Sequence, residues 1–129
     1  MRLWHQALIP RLPREQLLGQ HRECCALRGK GWNKKHSTVD YVFRYSYFRL
    51  YTYHLMVMGE MIARGYKVTP AWTELQYRGK QIGYDYSTFT EIEYIDSNAI
   101  YPEHNKQYHQ DCIDNLKEKG IYIQGEENG

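Results

Sequence analysis

The chain has 129 residues, of which 42% are hydrophobic and 25% charged. This size and balance are typical of one globular domain and exclude a disordered or fibrous protein. The longest apolar stretch, Leu55 to Gly59, is far shorter than the roughly 20 residues that span a bilayer, and no signal-peptide pattern is present. We therefore expect a cytoplasmic protein, nucleoid-associated if it binds DNA, with no membrane partner. Its three cysteines form no disulfide framework and are expected to be reduced thiols.

Charge is divided unevenly along the chain. Residues 1–80 hold 14 Lys and Arg against 5 Asp and Glu, whereas residues 81–129 hold 3 against 10. Such a division is typical of a protein with a basic binding face, for which a polyanion is the natural partner. A solvated surface on which the charges happen to segregate is the alternative.

The first predicted element is a helix from Pro13 to about Arg28. Proline suits the first position of a helix, and Gly29 suits its termination. Apolar or weakly polar residues recur at spacings of three and four and predict the buried face: Leu17, Leu18, His21, Cys24 and Cys25. At about 100° per residue, Glu23 lies almost opposite this face, so we expect its carboxylate in solvent.

A loop and a long helix follow. The segment RGKGWNKKH at residues 28–36 combines two glycines with basic residues and predicts a loop, after which a short helical stretch is expected around 38–45. Ser46 can cap the longest helix, which we expect to run to about Arg64 and to end at Gly65. Its broad apolar face predicts the central core helix: Tyr47, Leu50, Tyr51, His54, Val57, Met58, Met61 and Ile62.

Signals in the second half of the chain are weaker. A proline can start a short helix over residues 70–75, and weak alternation at 88–95 leaves a short strand open. A final helix is predicted from Pro102 to about Lys119, followed by an acidic tail, about 121–129, that we expect to be frayed. Together these elements predict an all-α fold: a compact helical bundle with a long central helix and irregular loops, forming a single domain over residues 1–129.

Two groups in the N-terminal part of the chain can carry chemistry. Because Arg2 is large, Met1 is expected to be retained with a free α-amine, whose pKa of roughly 7.7–8.0 leaves part of it uncharged and nucleophilic at neutral pH. Some DNA glycosylases that also cut the strand attack the sugar C1′ with an amine and handle charge and protons with a carboxylate. Met1 and Glu23 are the candidate pair, and a merely solvated Glu23 is the alternative.

Four short motifs follow one another along the chain. They are MRLW at residues 1–4, HRE at 21–23, KKH at 34–36 and ARGY at 63–66. Over roughly residues 1–70, their order and spacing resemble the pyrimidine-dimer DNA glycosylase family. The resemblance implies a small all-helical enzyme that kinks double-stranded DNA, flips a base out and excises damage without a metal or cofactor.

The resemblance also implies roles for individual residues. The family's nucleophile, the N-terminal α-amine, falls on Met1, and its catalytic glutamate, which follows an arginine in the first helix, falls on Glu23. Arg2 and Arg22 match basic residues that hold the DNA backbone near the lesion. The implied function is a DNA repair glycosylase with AP-lyase activity and no obligate protein partner. Because the chain ends in acidic GEENG, where the family has an aromatic, basic stretch, the damaged base stays open, with a pyrimidine dimer as one candidate.

The basic loop predicts further contacts with DNA. Its glycines allow close backbone approach, its cations can reach phosphates, and its tryptophan can stack or wedge against a base. A solvated turn with Trp32 folded into the core is the alternative. The residues expected to contact DNA are Arg28, Lys30, Trp32, Lys34, Lys35 and His36.

Two other classes of protein stay open. The same basic residues suit a nucleic-acid-binding module without catalysis. A zinc-stapled interaction domain is the third class, because two His and Cys pairs with a spacing of three lie on two predicted helices: His21 with Cys24, and His109 with Cys112. Since these residues also suit buried faces, where cysteine packs as a small apolar side chain, we expect no metal site.

Overall fold

The computed structural model describes residues 2–34, 39–87, 94–96 and 98–123. Within these ranges the chain forms α-helices and short 3-10 helices and no strand, so the predicted all-α fold is confirmed. The α-helices are α1, Arg14–Arg28, α2, Tyr47–Ala63, and α3, Lys106–Glu118; the 3-10 helices are Gln6–Arg11, Asp40–Arg44 and Pro70–Thr73. None of the helices in the described ranges combines the length and apolar character that a membrane crossing requires.

Residues 2–12 form a largely buried segment that the sequence pattern did not predict. Its aliphatic side chains are at most 1% exposed: Leu3, Leu8, Ile9 and Leu12. His5 precedes the 3-10 helix Gln6–Arg11 and accepts a hydrogen bond at Nδ1 from the backbone N–H of Ala7 (3.1 Å). A 3-10 helix is short and has three residues per turn, so its apolar residues show neither the α-helical nor the strand period.

Helix α1 begins one residue after the predicted start and ends where predicted. Pro13 precedes it and Gly29 follows it. Its buried face is rotated from the predicted one and consists of Leu17, Gln20, Cys24, Leu27 and Arg28. Polar groups can be buried when hydrogen bonds satisfy them. The buried side chains of Gln20 and Arg28 are both satisfied by hydrogen bonds within the protein.

Helix α2 is the central helix, as predicted. It contacts α1 and the 3-10 helices Gln6–Arg11 and Asp40–Arg44, and it ends before Gly65, whose φ of 89° requires the left-handed conformation that glycine favours. Its buried residues are Tyr47, Leu50, Tyr53, His54, Val57, Met58 and Met61. Three positions differ from the prediction: Ile62 is 57% exposed, Tyr51 is only partly buried, and Tyr53 is fully buried.

Helix α3 starts four residues later than predicted. The side chain of Asn105 accepts a hydrogen bond from the backbone N–H of Tyr108 (2.9 Å) and caps the helix. This cap satisfies a free N–H group of the first turn, which the proline at Pro102 cannot do. The local proline signal therefore marks the approach to the helix and not its start.

One hydrophobic core joins the N-terminal segment to all three α-helices, and its buried members range from Leu3 to Ile123. Ile123 is 8% exposed although it follows α3 without regular structure. The rest of the tail that was expected to fray, 124–129, lies outside the described residues, as does most of the possible strand at 88–95.

Candidate active site

The backbone of residues 2–4 is anchored by all three α-helices. Each helix places one polar side chain against a main-chain carbonyl oxygen of this segment: Gln20 of α1 donates to Arg2 (3.0 Å), Tyr53 of α2 to Trp4 (2.5 Å) and Tyr108 of α3 to Leu3 (2.5 Å). Terminal segments are poorly ordered unless they are tied down in this way. The anchoring therefore gives the backbone beside Glu23 a defined position.

Gln20 is the centre of this hydrogen-bond network and is 1% exposed. Its Oε1 accepts from the backbone N–H of Trp4 (2.7 Å) and lies 2.7 Å from the Tyr53 hydroxyl. Its Nε2 donates to the Arg2 carbonyl and to Oε2 of Glu23 (3.1 Å). Because a buried amide costs free energy unless it is paired, these bonds explain how Gln20 occupies a core position. The side chain links the N-terminal backbone to Glu23.

Glu23 is partly buried and does not point into solvent as predicted. Its carboxylate accepts a hydrogen bond from Nε2 of Gln20 (3.1 Å). Burial raises the pKa of the Glu23 carboxyl above its usual value, and the nearby backbone of Arg2 and the amide of Gln20 oppose part of the rise. A carboxyl with a raised pKa, held in a fixed position, is suited to transferring protons.

Two arginines belong to the segments that surround this carboxylate. The guanidinium of Arg2 lies over the rings of Trp4 (5.9 Å) and Tyr108 (5.7 Å). Arg22 is exposed on α1, one residue before Glu23. Both cations thus stay near the Glu23 segment at the protein surface. Met1 lies outside the described residues.

The basic loop divides into exposed cations and a packed tryptophan. Lys30 and Lys34 are exposed. Trp32 packs edge-on against the rings of Phe43 (5.1 Å) and Tyr47 (5.0 Å) at the border of the core, which fits the second of its two predicted roles. The remaining predicted contacts of this loop, Lys35 and His36, lie outside the described residues.

Arg28, predicted to contact DNA, is completely buried. Its N–H groups donate to five acceptors: the Tyr47 hydroxyl, Nδ1 of His54 and the carbonyl oxygens of Trp72, Glu74 and Tyr77. A guanidinium has five N–H donors, so none remains for a phosphate. Arg28 therefore joins α1 to α2 and to residues 72–77, and it does not contact DNA as predicted.

The four candidate ligands of the zinc alternative form no shared site in the part of the chain that the structure describes. Cys24 and Cys112 are fully buried, and the ring of His109 lies against that of His5 (4.9 Å). Among the described residues, one group of three possible ligands has its atoms within 4.8 Å of one another: His21, Cys25 and His54.

Hydrogen bonds oppose metal binding at this second group. Nδ1 of His54 accepts from Arg28 (2.9 Å), and burial holds the pKa of His54 well below its usual range, so the ring is neutral. Its Nε2 must therefore carry the proton, which it donates to Nδ1 of His21 (2.9 Å). Neither nitrogen of His54 then has a free electron pair for a metal. Burial also raises the pKa of the Cys25 thiol to about 11, which disfavours the thiolate that a metal needs.

Sequence reasoning missed three residues of the N-terminal anchor, namely Gln20, Tyr53 and Tyr108. One signal was available for Gln20, because it lies three residues after Leu17 and four before Cys24, within the apolar spacing of α1. A polar side chain at such a position indicates a buried hydrogen-bond partner. The two tyrosines gave no comparable signal among the thirteen in the chain.

Comparison with known proteins identifies the class to which this fold and site belong. The family model described as pyrimidine dimer DNA glycosylase matches residues 1–74, and the chain belongs to this family. The protein is thus an enzyme of the DNA glycosylase class, with DNA as its substrate. Neither a curated protein nor a solved structure matches the chain. The matched segment contains α1, α2 and the anchored residues 2–4.

Proposed function

We propose that the protein is a DNA repair glycosylase with AP-lyase activity whose nucleophile is the α-amine of Met1 and whose catalytic carboxylate is Glu23. The link made by Gln20 carries the proposal, because its Nε2 donates both to the Arg2 carbonyl oxygen (3.0 Å) and to the Glu23 carboxylate (3.1 Å). Arg2 is joined to Met1 by one peptide bond, and consecutive Cα atoms are about 3.8 Å apart. Glu23 is therefore held one residue from the proposed nucleophile.

The proposed reaction proceeds in two stages. The Met1 nitrogen attacks C1′ of the damaged nucleotide, and the electron pair of the glycosidic bond leaves with the base, which takes up a proton. The amine then loses a proton and the sugar ring opens to give a protonated Schiff base. Removal of a C2′ proton drives β-elimination, which breaks the bond between C3′ and its phosphate oxygen and cuts the strand.

Glu23 acts at both stages. Its negative charge stabilises the positive charge that develops on the sugar, and the same carboxylate assists removal of the C2′ proton. The raised pKa of Glu23 makes it a better proton acceptor than a solvated carboxylate. Partial burial strengthens its interaction with a charged sugar.

Surface cations hold the DNA backbone around this site. Arg22 directly precedes the carboxylate in sequence, half-buried Arg2 belongs to the anchored N-terminal backbone, and the exposed Lys30 and Lys34 extend the basic surface past the end of α1. We extend the proposal to the loop cations Lys35 and His36. Such contacts position double-stranded DNA without reading its sequence. The damaged base, whether a pyrimidine dimer or another lesion, is selected by its extrahelical position in the site.

Replacing Glu23 by glutamine tests the proposal. Strand cleavage at an abasic site should fall by about 10²–10⁴-fold, the usual contribution of general acid–base catalysis. Glu15→Gln, an exposed position on the same helix, should cleave like the wild type. Retained cleavage by Glu23→Gln would remove Glu23 from the mechanism. DNA binding by the wild type without any strand cleavage would instead support the binding module without catalysis.

The same variant has an expected effect on stability. Because burial raises the pKa of Glu23, its ionised form opposes folding at neutral pH. Glu23→Gln should therefore melt at a higher temperature than the wild type at pH 7. The difference should shrink as the pH falls through the pKa of Glu23, where the wild type becomes protonated. Thermal melts across this pH range measure the effect.

A further inference from the structure

The tripeptide Arg-Gly-Lys occurs twice, at residues 28–30 and 78–80, and the fold brings the two copies together. Nε of Arg78 donates to the backbone carbonyl oxygen of Arg28 (2.8 Å). A Cβ at Gly29 would lie 3.0 Å from the carbonyl oxygen of Arg78, so this close backbone approach depends on glycine. The second copy lies beyond residues 1–74, the segment that the family model matches.

A tight hairpin-like loop presents the second copy. Backbone hydrogen bonds close it between Arg78 and Gly83 (2.8 Å) and between Gly83 and Gly79 (2.7 Å), and Tyr77 forms an isolated antiparallel bridge with Tyr84. Gly79 and Gly83 have φ values of 98° and 74°, which glycine adopts without strain. Lys80 therefore projects from a loop with a defined backbone.

The two copies line an open, mainly apolar cavity of about 360 Å³ whose walls include three basic residues. Its residues are Cys25, Ala26, Gly29, Lys30, Gly31, Trp72, Arg78, Gly79, Lys80 and Gln81. Lys30 and Lys80 are exposed at the cavity, and Arg78 is 9% exposed and pairs with Asp85 (3.3 Å). Among the described residues that line the cavity, Arg78 is thus paired with a carboxylate, and the two lysines reach the solvent.

The buried charge of Arg28 adds to the positive potential that the basic residues create at the cavity. Arg28 lies next to Gly29 of the cavity wall, and its five acceptors are a hydroxyl, a neutral histidine and three carbonyl oxygens. Its charge is consequently offset by dipoles and not by a carboxylate. The C-terminal end of α1 carries only about half a negative charge, which the full charge of Arg28 exceeds. The floor of the cavity is therefore suited to an anion.

Aromatic rings indicate which anion fits. From Trp72 in the cavity wall, a row of rings runs outward through Tyr77 (4.8 Å), Tyr84 (5.2 Å) and Tyr86 (6.2 Å). Tyr84 and Tyr86 are 45% and 70% exposed. Exposed aromatic faces beside a cationic groove are typical of surfaces that bind the backbone and bases of nucleic acids.

We propose that this cavity, the RGK pocket, binds a backbone phosphate of the DNA substrate through Lys30, Arg78 and Lys80. The inference rests on the proposed function and adds a contact site from the second half of the chain. Gly29 lies just past the end of α1, six residues after Glu23, so the pocket adjoins the helix that carries the proposed catalytic carboxylate.

The salt dependence of DNA binding tests the pocket. The probe is a short duplex with one tetrahydrofuran abasic-site analogue, and the variants are Lys80→Ala and, as a matched loss of an exposed lysine, Lys67→Ala. Each phosphate contact contributes about 0.9 to the slope of log K against log salt concentration. Lys80→Ala should lower the slope by about this amount, and Lys67→Ala should leave it unchanged.

A neutral methylphosphonate placed singly at successive positions then locates the contact. It should weaken binding of the wild type at one particular position and have no further effect on Lys80→Ala at that position. Equal slopes for Lys80→Ala and the wild type would overturn the pocket, as would additive losses at every position. Borohydride trapping of the wild type separates the two proposals. A trapped complex together with equal salt slopes for Lys80→Ala and the wild type overturns only the pocket. A lower salt slope for Lys80→Ala without any trapped complex overturns only the lyase chemistry.

Discussion

Arg28 shows how long-range contacts decide the role of a single residue. The sequence places it in a basic loop, where a DNA contact is the natural interpretation, but the carbonyl groups that bind it come from residues 44 to 49 positions later in the chain. Local patterns do not show that those groups converge on one guanidinium. Local patterns likewise do not show the role of Gln20, because its partners lie on the N-terminal segment and on α2.

Replacing Arg28 by methionine should lower the free energy of unfolding by about 3–5 kcal/mol, because it leaves several buried carbonyl groups without donors. Lys30→Met, two residues along and exposed, should change it by no more than about 0.5 kcal/mol. Urea unfolding measures both. If Arg28→Met does not fold, Tyr47→Phe removes one of its partners and should cost about 1 kcal/mol. Equal stabilities for these variants and the wild type would contradict a structural role for Arg28.

The elements with strong end signals were predicted well. Helix α1 lies between Pro13 and Gly29, and α2 ends before Gly65, as local propensities indicate. The start of α3 was misplaced because Pro102 and Asn105 both resemble helix starts, and only the side-chain geometry distinguishes them. The N-terminal segment was missed because tertiary hydrogen bonds, and not a repeating pattern, hold it.

Helix α3 is expected to help hold the N-terminal segment, residues 2–4, in place. Tyr108→Phe removes the hydrogen bond to the Leu3 carbonyl and should lower the free energy of unfolding by about 1 kcal/mol. It should also slow strand cleavage, since the backbone beside Glu23 becomes less ordered. Tyr122→Phe, at a tyrosine that is 72% exposed, should change neither quantity. Cleavage at the wild-type rate by Tyr108→Phe would show that the anchor is not needed for catalysis.

In the whole molecule, one core reaches from the N-terminal segment to Ile123, which supports our proposal that residues 1–129 form a single domain. The uneven division of charge was informative about the partner, since the exposed cations of the proposed DNA surface lie in residues 1–80. The RGK pocket could not be predicted, because nothing in the two tripeptides shows that they meet.

Several histidines make the folded state sensitive to acid. Burial lowers the pKa of five of them, in the case of His104 to about 3: His5, His21, His54, His104 and His109. The unfolded chain therefore binds more protons below its histidine pKa of about 6.5. Stability should be complete above that pH and should fall as the pH decreases below it.

Urea unfolding between pH 7.5 and 5.5 tests this expectation while most carboxylates remain ionised. The free energy of unfolding should decrease with falling pH, because the unfolded chain takes up protons on histidines that stay neutral in the folded state. His104→Phe should show a shallower decrease, because its unfolded state takes up one proton fewer. A flat profile for the wild type would mean that the histidines are solvated in the folded state.

The most direct test of the central claim is borohydride trapping of protein that begins at Met1 on duplex DNA with an abasic site, followed by peptide mass mapping. Reduction converts a transient Schiff base into a stable covalent bond. The proposed mechanism predicts a trapped complex whose added mass lies on the peptide that contains Met1, and no complex after N-terminal acetylation. A complex mapped to a lysine, or DNA binding without any trapped complex, would contradict it.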